Sequence, residues 1–145
     1  MIKNLIVVFT LSTTLLSVSY SQNTPATIAD KFFSNLETGN HKEALSSLPV
    51  SEKLESDTSI TAQLLQKLDG NITSLGKYCG YELIEQNEIT DSYIITEYLI
   101  KYLNAPRRIQ FVFYKPVDNW QVNQIIINSR ERTVNTRSRP VQRPR

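Results

Sequence analysis

His41 is the only histidine and Cys79 the only cysteine among 145 residues, so the chemistry open to this chain is narrow from the outset. Histidine ordinarily changes charge near neutral pH, but a general base needs a site around it. His41 follows Asn40 at what reads as an exposed helix start, where a neutral polar residue is the plain expectation. Cys79 is expected to be a small buried apolar residue, because free cysteines are among the most buried residue types. One histidine and one cysteine leave only carboxylates to hold a metal, and these show no paired ligand spacing. Neither a metal nor another cofactor is expected, and no residue is assigned a catalytic role. Seven tyrosines stand out instead: Tyr20, then Tyr78, Tyr81, Tyr93, Tyr98, Tyr102 and Tyr114.

The elements that must position these side chains fall into two halves. In the first, a Thr27-x-x-Asp30 pattern resembles a capping box, and Ile28, Phe32, Phe33 and Leu36 recur at helical spacing until Gly39. Asn40-x-x-Glu43 starts a second helix with Ala44, Leu45 and Leu48 as its stripe, ended by Pro49. After a polar link, Ile60, Leu64, Leu65 and Leu68 predict a third helix stopping at Gly70.

From about residue 76 the period becomes two. Tyr81 and Leu83 alternate with Glu82. Ile94, Thr96, Tyr98, Ile100 and Tyr102 share one parity of a long strand, with Glu97 and Lys101 on the other. Asn104-Ala105-Pro106 is a turn, Ile109, Phe111 and Phe113 share a parity in the next strand, and residues 115–119 form a hairpin loop. From Trp120 to Asn128 the parity changes, and a β-bulge near Asn123-Gln124 reconciles Val122 with Ile125 and Ile127. Helices followed by an antiparallel meander define an α+β domain over residues 27–128.

The flanks differ from this body. Lys3, the apolar run Leu5–Leu16 and the small residues of Ser19-Tyr20-Ser21 read as a secretory signal peptide, residues 1–21, cut before Gln22. Ser12, Thr13 and Thr14 interrupt that run, which is short of the roughly 20 apolar residues a membrane anchor needs. The mature protein is therefore expected to be exported, periplasmic or secreted, soluble and without an anchor. Residues 22–26 are a polar leader. With one cysteine there is no internal disulfide, so packing alone must hold the fold. Residues 22–128 carry nine lysines and arginines against thirteen carboxylates, whereas residues 129–145 carry six arginines and one glutamate. That tail has no apolar period and is expected to be disordered. Arg130, Arg132, Arg137, Arg139, Arg143 and Arg145 offer a polyanion-binding alternative. No aromatic is interleaved for base stacking, so nucleic acid is not the expected partner. The Asn71-Ile72-Thr73 sequon matters only in a eukaryotic secretory pathway.

Phe32-Phe33-x-x-Leu36-x-x-Gly39-x-x-x-x-Ala44, Gly76-x-x-x-Gly80-Tyr81-Glu82, and Phe111-x-Phe113-Tyr114-Lys115-Pro116 followed by Trp120-x-Val122 together resemble the nuclear transport factor 2-like superfamily, in particular its exported bacterial members. The resemblance implies three helices packed on a strongly curved antiparallel sheet, a cone with a cavity open at one end, and pairing of two copies through the open sheet face. Enzymes of this shape place an Asp, often with a Tyr or His, inside the cone, and no such set is recognisable here. Tyr81, Tyr98, Tyr102, Phe111, Phe113 and Trp120 are the candidate cavity residues for an unknown small molecule, tyrosine hydroxyls donating and rings forming wall. The plainer expectation is that these rings simply pack on the helices. Glu97 and Asp91 are the first candidates for an acid or base in the cone, although Glu97 lies on the parity opposite Tyr98. One scaffold hosts many functions, so the expectation is a non-catalytic binding or accessory domain. An isomerase- or lyase-like enzyme, with a carboxylate base and tyrosine donor, and association through the tail are the alternatives.

Overall fold

Thr24, three residues ahead of the expected Thr27, opens the first helix. The computed structural model describes residues 23–128; the stretch read as a signal peptide and the arginine tail, and with them the export and polyanion readings, lie outside these residues. Pro25 suits a first turn, having a fixed φ and no N–H to lose. The Thr24 hydroxyl accepts from the Thr27 backbone N–H at 3.2 Å, and the Thr27 hydroxyl accepts from the Thr24 N–H at 2.9 Å. Thr27 is thus the far partner of a capping box, and α1 runs Pro25–Glu37 with Ile28, Phe32, Phe33 and Leu36 buried.

Gly39, at φ +76°, turns the chain, and Asn40 caps α2, His41–Ser46, by accepting from Glu43 N at 3.3 Å. The stretch read as a polar link contains a further one-turn helix, α3, Glu52–Ser56, before α4, Thr58–Leu75, so the described residues hold four helices rather than three. One turn is too short to display a period, and α3 buries only Leu54. Gly70 does not stop α4. Leu64, Leu68, Asn71 and Leu75 continue a buried stripe at spacings of four, three and four, and this packing outweighs the roughly 1 kcal/mol that one glycine costs a helix. Gly76, at φ +83°, is the residue that ends it.

Four antiparallel strands follow in the order β1-β2-β3-β4: β1 Tyr78–Thr90, β2 Tyr93–Tyr102, β3 Arg107–Tyr114 and β4 Gln121–Asn128. The molecule is therefore α+β. Ile94, Thr96, Tyr98, Ile100 and Tyr102 are buried in strict alternation, as the parity predicts. Phe111 of β3 meets Phe32 and Phe33 of α1 edge-on at 5.3 and 6.2 Å between ring centres, which places α1 against the inner face of the sheet. The expected bulge is present: Val112 pairs with Gln124 and Phe113 with Val122, leaving Asn123 unpaired and burying Val122, Ile125 and Ile127 together.

Two expectations about single residues are corrected. Register shifts between β1 and β2 leave Cys79, Ile84 and Ile89 without partners. As the extra residue of such a bulge, Cys79 is exposed and not a core residue. His41, conversely, is buried at 8% exposure, because its ring turns back onto α4, where Nδ1 bonds the Asp69 carboxylate.

The link between α2 and α3 is tied to the sheet. Val50 forms a parallel bridge with Val122, Val122 N donates to Pro49 O at 2.7 Å and Ser51 N donates to Val122 O at 3.0 Å. Among the described residues no helix is long and apolar enough to cross a membrane.

Candidate functional site

Of the six candidate cavity residues, four lie in the core and two, Tyr81 and Trp120, pack against it. Phe111 and Phe113 are fully buried, Tyr98 and Tyr102 are 5% and 7% exposed, and Trp120 packs partly buried with Lys115 Nζ 5.1 Å from its ring centre. Tyr81, Tyr98 and Phe111 are brought together around Phe33, whereas Tyr102 pairs with Tyr78 at 6.2 Å. Phe32, Phe33, Phe111 and Phe113, all buried, fill this part of the interior with rings. Burial raises the pKa of Tyr98 and Tyr102, holding their hydroxyls protonated.

The candidate carboxylates lie elsewhere. Asp91 is exposed at the β1–β2 turn. Glu97 sits opposite Glu85 and Gln110, lining with them a shallow 120 Å³ dimple on the face away from α1, and Arg108 Nη1 donates to it at 3.4 Å. Parity had separated Glu97 from Tyr98, and the structure keeps them on opposite faces. Among the described residues no three His, Cys, Asp or Glu side chains group as metal ligands would.

Among the larger hollows, two differ in character. The polar one, about 720 Å³, opens where α1 meets the start of β1 and is lined by Asp30, Glu37, Lys77, Tyr78, Tyr81 and Lys101 among others. Tyr81 stacks on Phe33 with ring centres 3.9 Å apart, and its hydroxyl donates to Asp30 Oδ1 at 2.6 Å. That bond, with burial second, pushes Tyr81 up to about 12. Lys101 Nζ donates to Glu82 at 2.8 Å beside it. Asp30, Tyr81 and Lys101 therefore each make one bond within the protein, which leaves further acceptor sites on Asp30 and further donors on Lys101.

The apolar hollow, about 340 Å³, lies between α2, α3, α4 and β4. Leu45 and Leu48 come from α2 and its end, Val50 from the link, Leu54 from α3, Leu64 and Leu65 from α4, and Ile125 from β4. Lys42, Ser46, Glu55 and Thr61 supply polar atoms at its edge. Its volume falls in the range of small-molecule sites. The sequence places Leu45, Leu48, Leu64 and Leu65 on helix stripes without marking them as walls of a hollow. Sequence reasoning missed Val50 and Leu54, whose one signal was the spacing Ser51-x-x-Leu54 before the capping Asp57.

Compared with protein-family models, with curated proteins and with solved structures, the chain matches none significantly.

Proposed function

We propose that this chain is an exported, non-catalytic binding or accessory module of the cone-shaped nuclear transport factor 2-like class, and that it takes a small apolar molecule in the hollow between α2, α3, α4 and β4. The observation that carries this reading is the hollow itself: seven aliphatic side chains from four elements and the α2–α3 link surround about 340 Å³. Leu45, Leu48, Leu54, Leu64 and Ile125 are each under a tenth exposed, and an apolar ligand covers the apolar surface that they still share with Val50 and Leu65. The filled aromatic interior and the outward placement of Asp91 and Glu97 favour binding over acid-base chemistry. Support for the cone comes from α1 lying against the aromatic inner face and from the β4 bulge. Ile95, Leu99 and Ile126, half-buried on the opposite face, favour pairing of two copies there.

The test is titration with N-phenyl-1-naphthylamine, an apolar dye that brightens when it leaves water. The dye is expected to bind the wild-type chain, and Ser46→Trp, which fills the hollow from an exposed helix position, is expected to weaken it at least about tenfold with the far-ultraviolet circular dichroism unchanged. Unaltered dye binding in that variant would remove the hollow from the account.

One observation favours the enzyme alternative: a carboxylate and a tyrosine hydroxyl, Asp30 and Tyr81, 2.6 Å apart in an open polar trough. A carboxylate base with a tyrosine donor there requires the trough, not the aliphatic hollow, to hold the substrate, so ligand contacts mapped to Asp30 and Tyr81 would support it.

A further inference from the structure

Among the described residues β1 has a strand on one side only, so a row of its backbone groups lies open along thirteen residues. Residues 78–91 hold Glu82, Glu85, Glu88 and Asp91 and no lysine or arginine. Where the strand starts, the polar trough adds Asp30 and Glu37 from α1, with Lys77 and Lys101 as the cations of its lining. Six carboxylates against two lysines leave −4, which is also the balance of residues 22–128 as a whole. The net negative charge of the body is thus gathered along one edge.

That edge is apolar as well. Leu83, Ile84 and Ile89 are 53%, 43% and 53% exposed among the glutamates. The side chain that suits both is arginine, whose guanidinium pairs with a carboxylate while its methylene stem covers aliphatic surface. The other edge strand, β4, carries no charged residue between Gln121 and Asn128.

The chain itself supplies arginines at the right place. Residues 129–145 follow directly on Asn128 and hold six arginines and one glutamate. Asn128 pairs with Arg108, Arg108 with Leu99 and Leu99 with Glu82. The end of β4 and the start of β1 therefore lie at the same end of the sheet, three strand spacings or about 14 Å apart. Those 17 residues reach up to about 55 Å when extended, enough to cross that end and run well along β1. Arg107 and Arg108, beside the point of departure, repel them from β3.

We propose that the arginine tail, residues 129–145, folds back along β1, its guanidinium groups meeting Asp30, Glu37 and the β1 glutamates, and so covers the open edge. Each exposed pair contributes little. Tethering raises the sum, because a segment held within reach is present at an effective concentration of about a millimolar. Covered in this way, β1 is kept from pairing with the edge of another chain. The apolar hollow plays no part in this docking.

The experiment is paramagnetic relaxation enhancement on the isotope-labelled full chain carrying Cys79→Ser and Ser138→Cys, with a nitroxide on the cysteine so placed. Cys79 is exposed, so its replacement spares the core. The amide signals of Ser34, Glu37, Tyr81 and Glu85 are expected to lose more than about half their intensity and to regain it in about 0.5 M sodium chloride, which screens the pairs. Those of Leu48 and Leu64, beside the hollow, are expected to keep theirs. Glu37→Lys, Glu85→Lys and Glu88→Lys together, at three exposed positions, are expected to abolish the loss with the shifts of core amides unchanged. Broadening confined to β4 and the strand ends beside it, or broadening along β1 that survives the three reversals or the salt, overturns the proposal. A mixture of nitroxide-bearing chain without isotopes and isotope-labelled chain without nitroxide is expected to show no loss. Loss there as strong as in the single chain gives the edge to a second copy's tail and overturns the fold-back.

Discussion

The apolar hollow beside α3 and the polar trough beside β1 are both openings between helices and the edge of the same sheet, yet they differ in what is left unmet. In the trough, Tyr81 donates to Asp30 and Lys101 to Glu82. A ligand that contacts the Tyr81 hydroxyl there competes with its bond to Asp30, and an exchange of polar partners yields a small net gain. In the hollow, aliphatic side chains from four elements and the α2–α3 link face open space, and any apolar occupant removes that surface from water. On the proposed reading, the larger opening is the poorer site for an apolar ligand. Volume alone does not rank sites; the balance of unsatisfied groups does.

The largest expected effect concerns the region that is neither hollow. Phe111→Ala is expected to cost about 3–5 kcal/mol in urea denaturation, as large-to-small changes at fully buried aromatic positions do. A loss under about 1 kcal/mol would mean that the aromatic interior is loosely packed and open to a ligand after all. Asp69→Ala comes next. It leaves buried His41 Nδ1 without its partner, and a loss of about 1–3 kcal/mol is expected. Because α2 and α4 both wall the apolar hollow, dye affinity in that variant should fall too, while the trough stays unchanged.

Smaller effects sharpen the trough. Tyr81, pushed up to about 12 by its bond to Asp30, binds its proton more tightly when folded than when unfolded. It therefore contributes stability that is fully present below about pH 10 and is lost as pH rises towards 12. Tyr78, Tyr98 and Tyr102, raised chiefly by burial, act in the same sense. The urea midpoint is expected to fall across that interval, and Tyr81→Phe to make the fall shallower; an identical slope would show that the Asp30 bond does not form in solution. Lys101→Gln, which breaks an exposed pair with Glu82, is expected to change stability by less than about 0.5 kcal/mol. A larger change would mark the trough as organised around Lys101.

How far the fold was legible depends on the length of each pattern. The ten residues of β2 alternate without a fault, so Thr96, Tyr98 and Ile100 were placed on the inner face from parity alone. The change of parity in β4 located its bulge to within a residue of Asn123. Patterns shorter than two turns did not carry. α3 has one apolar residue, and neither its existence nor the role of Leu54 shows in five residues of sequence. Bulges also undo what composition suggests: Cys79 is exposed because it is the extra residue opposite the Tyr102–Lys101 step, a fact of register that no single strand reveals. His41 was misplaced for a similar reason, since its burial depends on Asp69, 28 residues away on another helix. The candidate site suffered most. Its walls come from three helices, a link and a strand, and each segment read singly looks like core.

The most direct test is a methyl- and aromatic-labelled NMR titration of the chain with N-phenyl-1-naphthylamine. The expected result is intermolecular contacts and shifts at the methyls of Leu45, Leu64, Leu65 and Ile125, with the ring signals of Tyr81 and Phe111 unmoved. Contacts concentrated at Tyr81 and Lys101, or at Phe111 in the interior, would contradict the account.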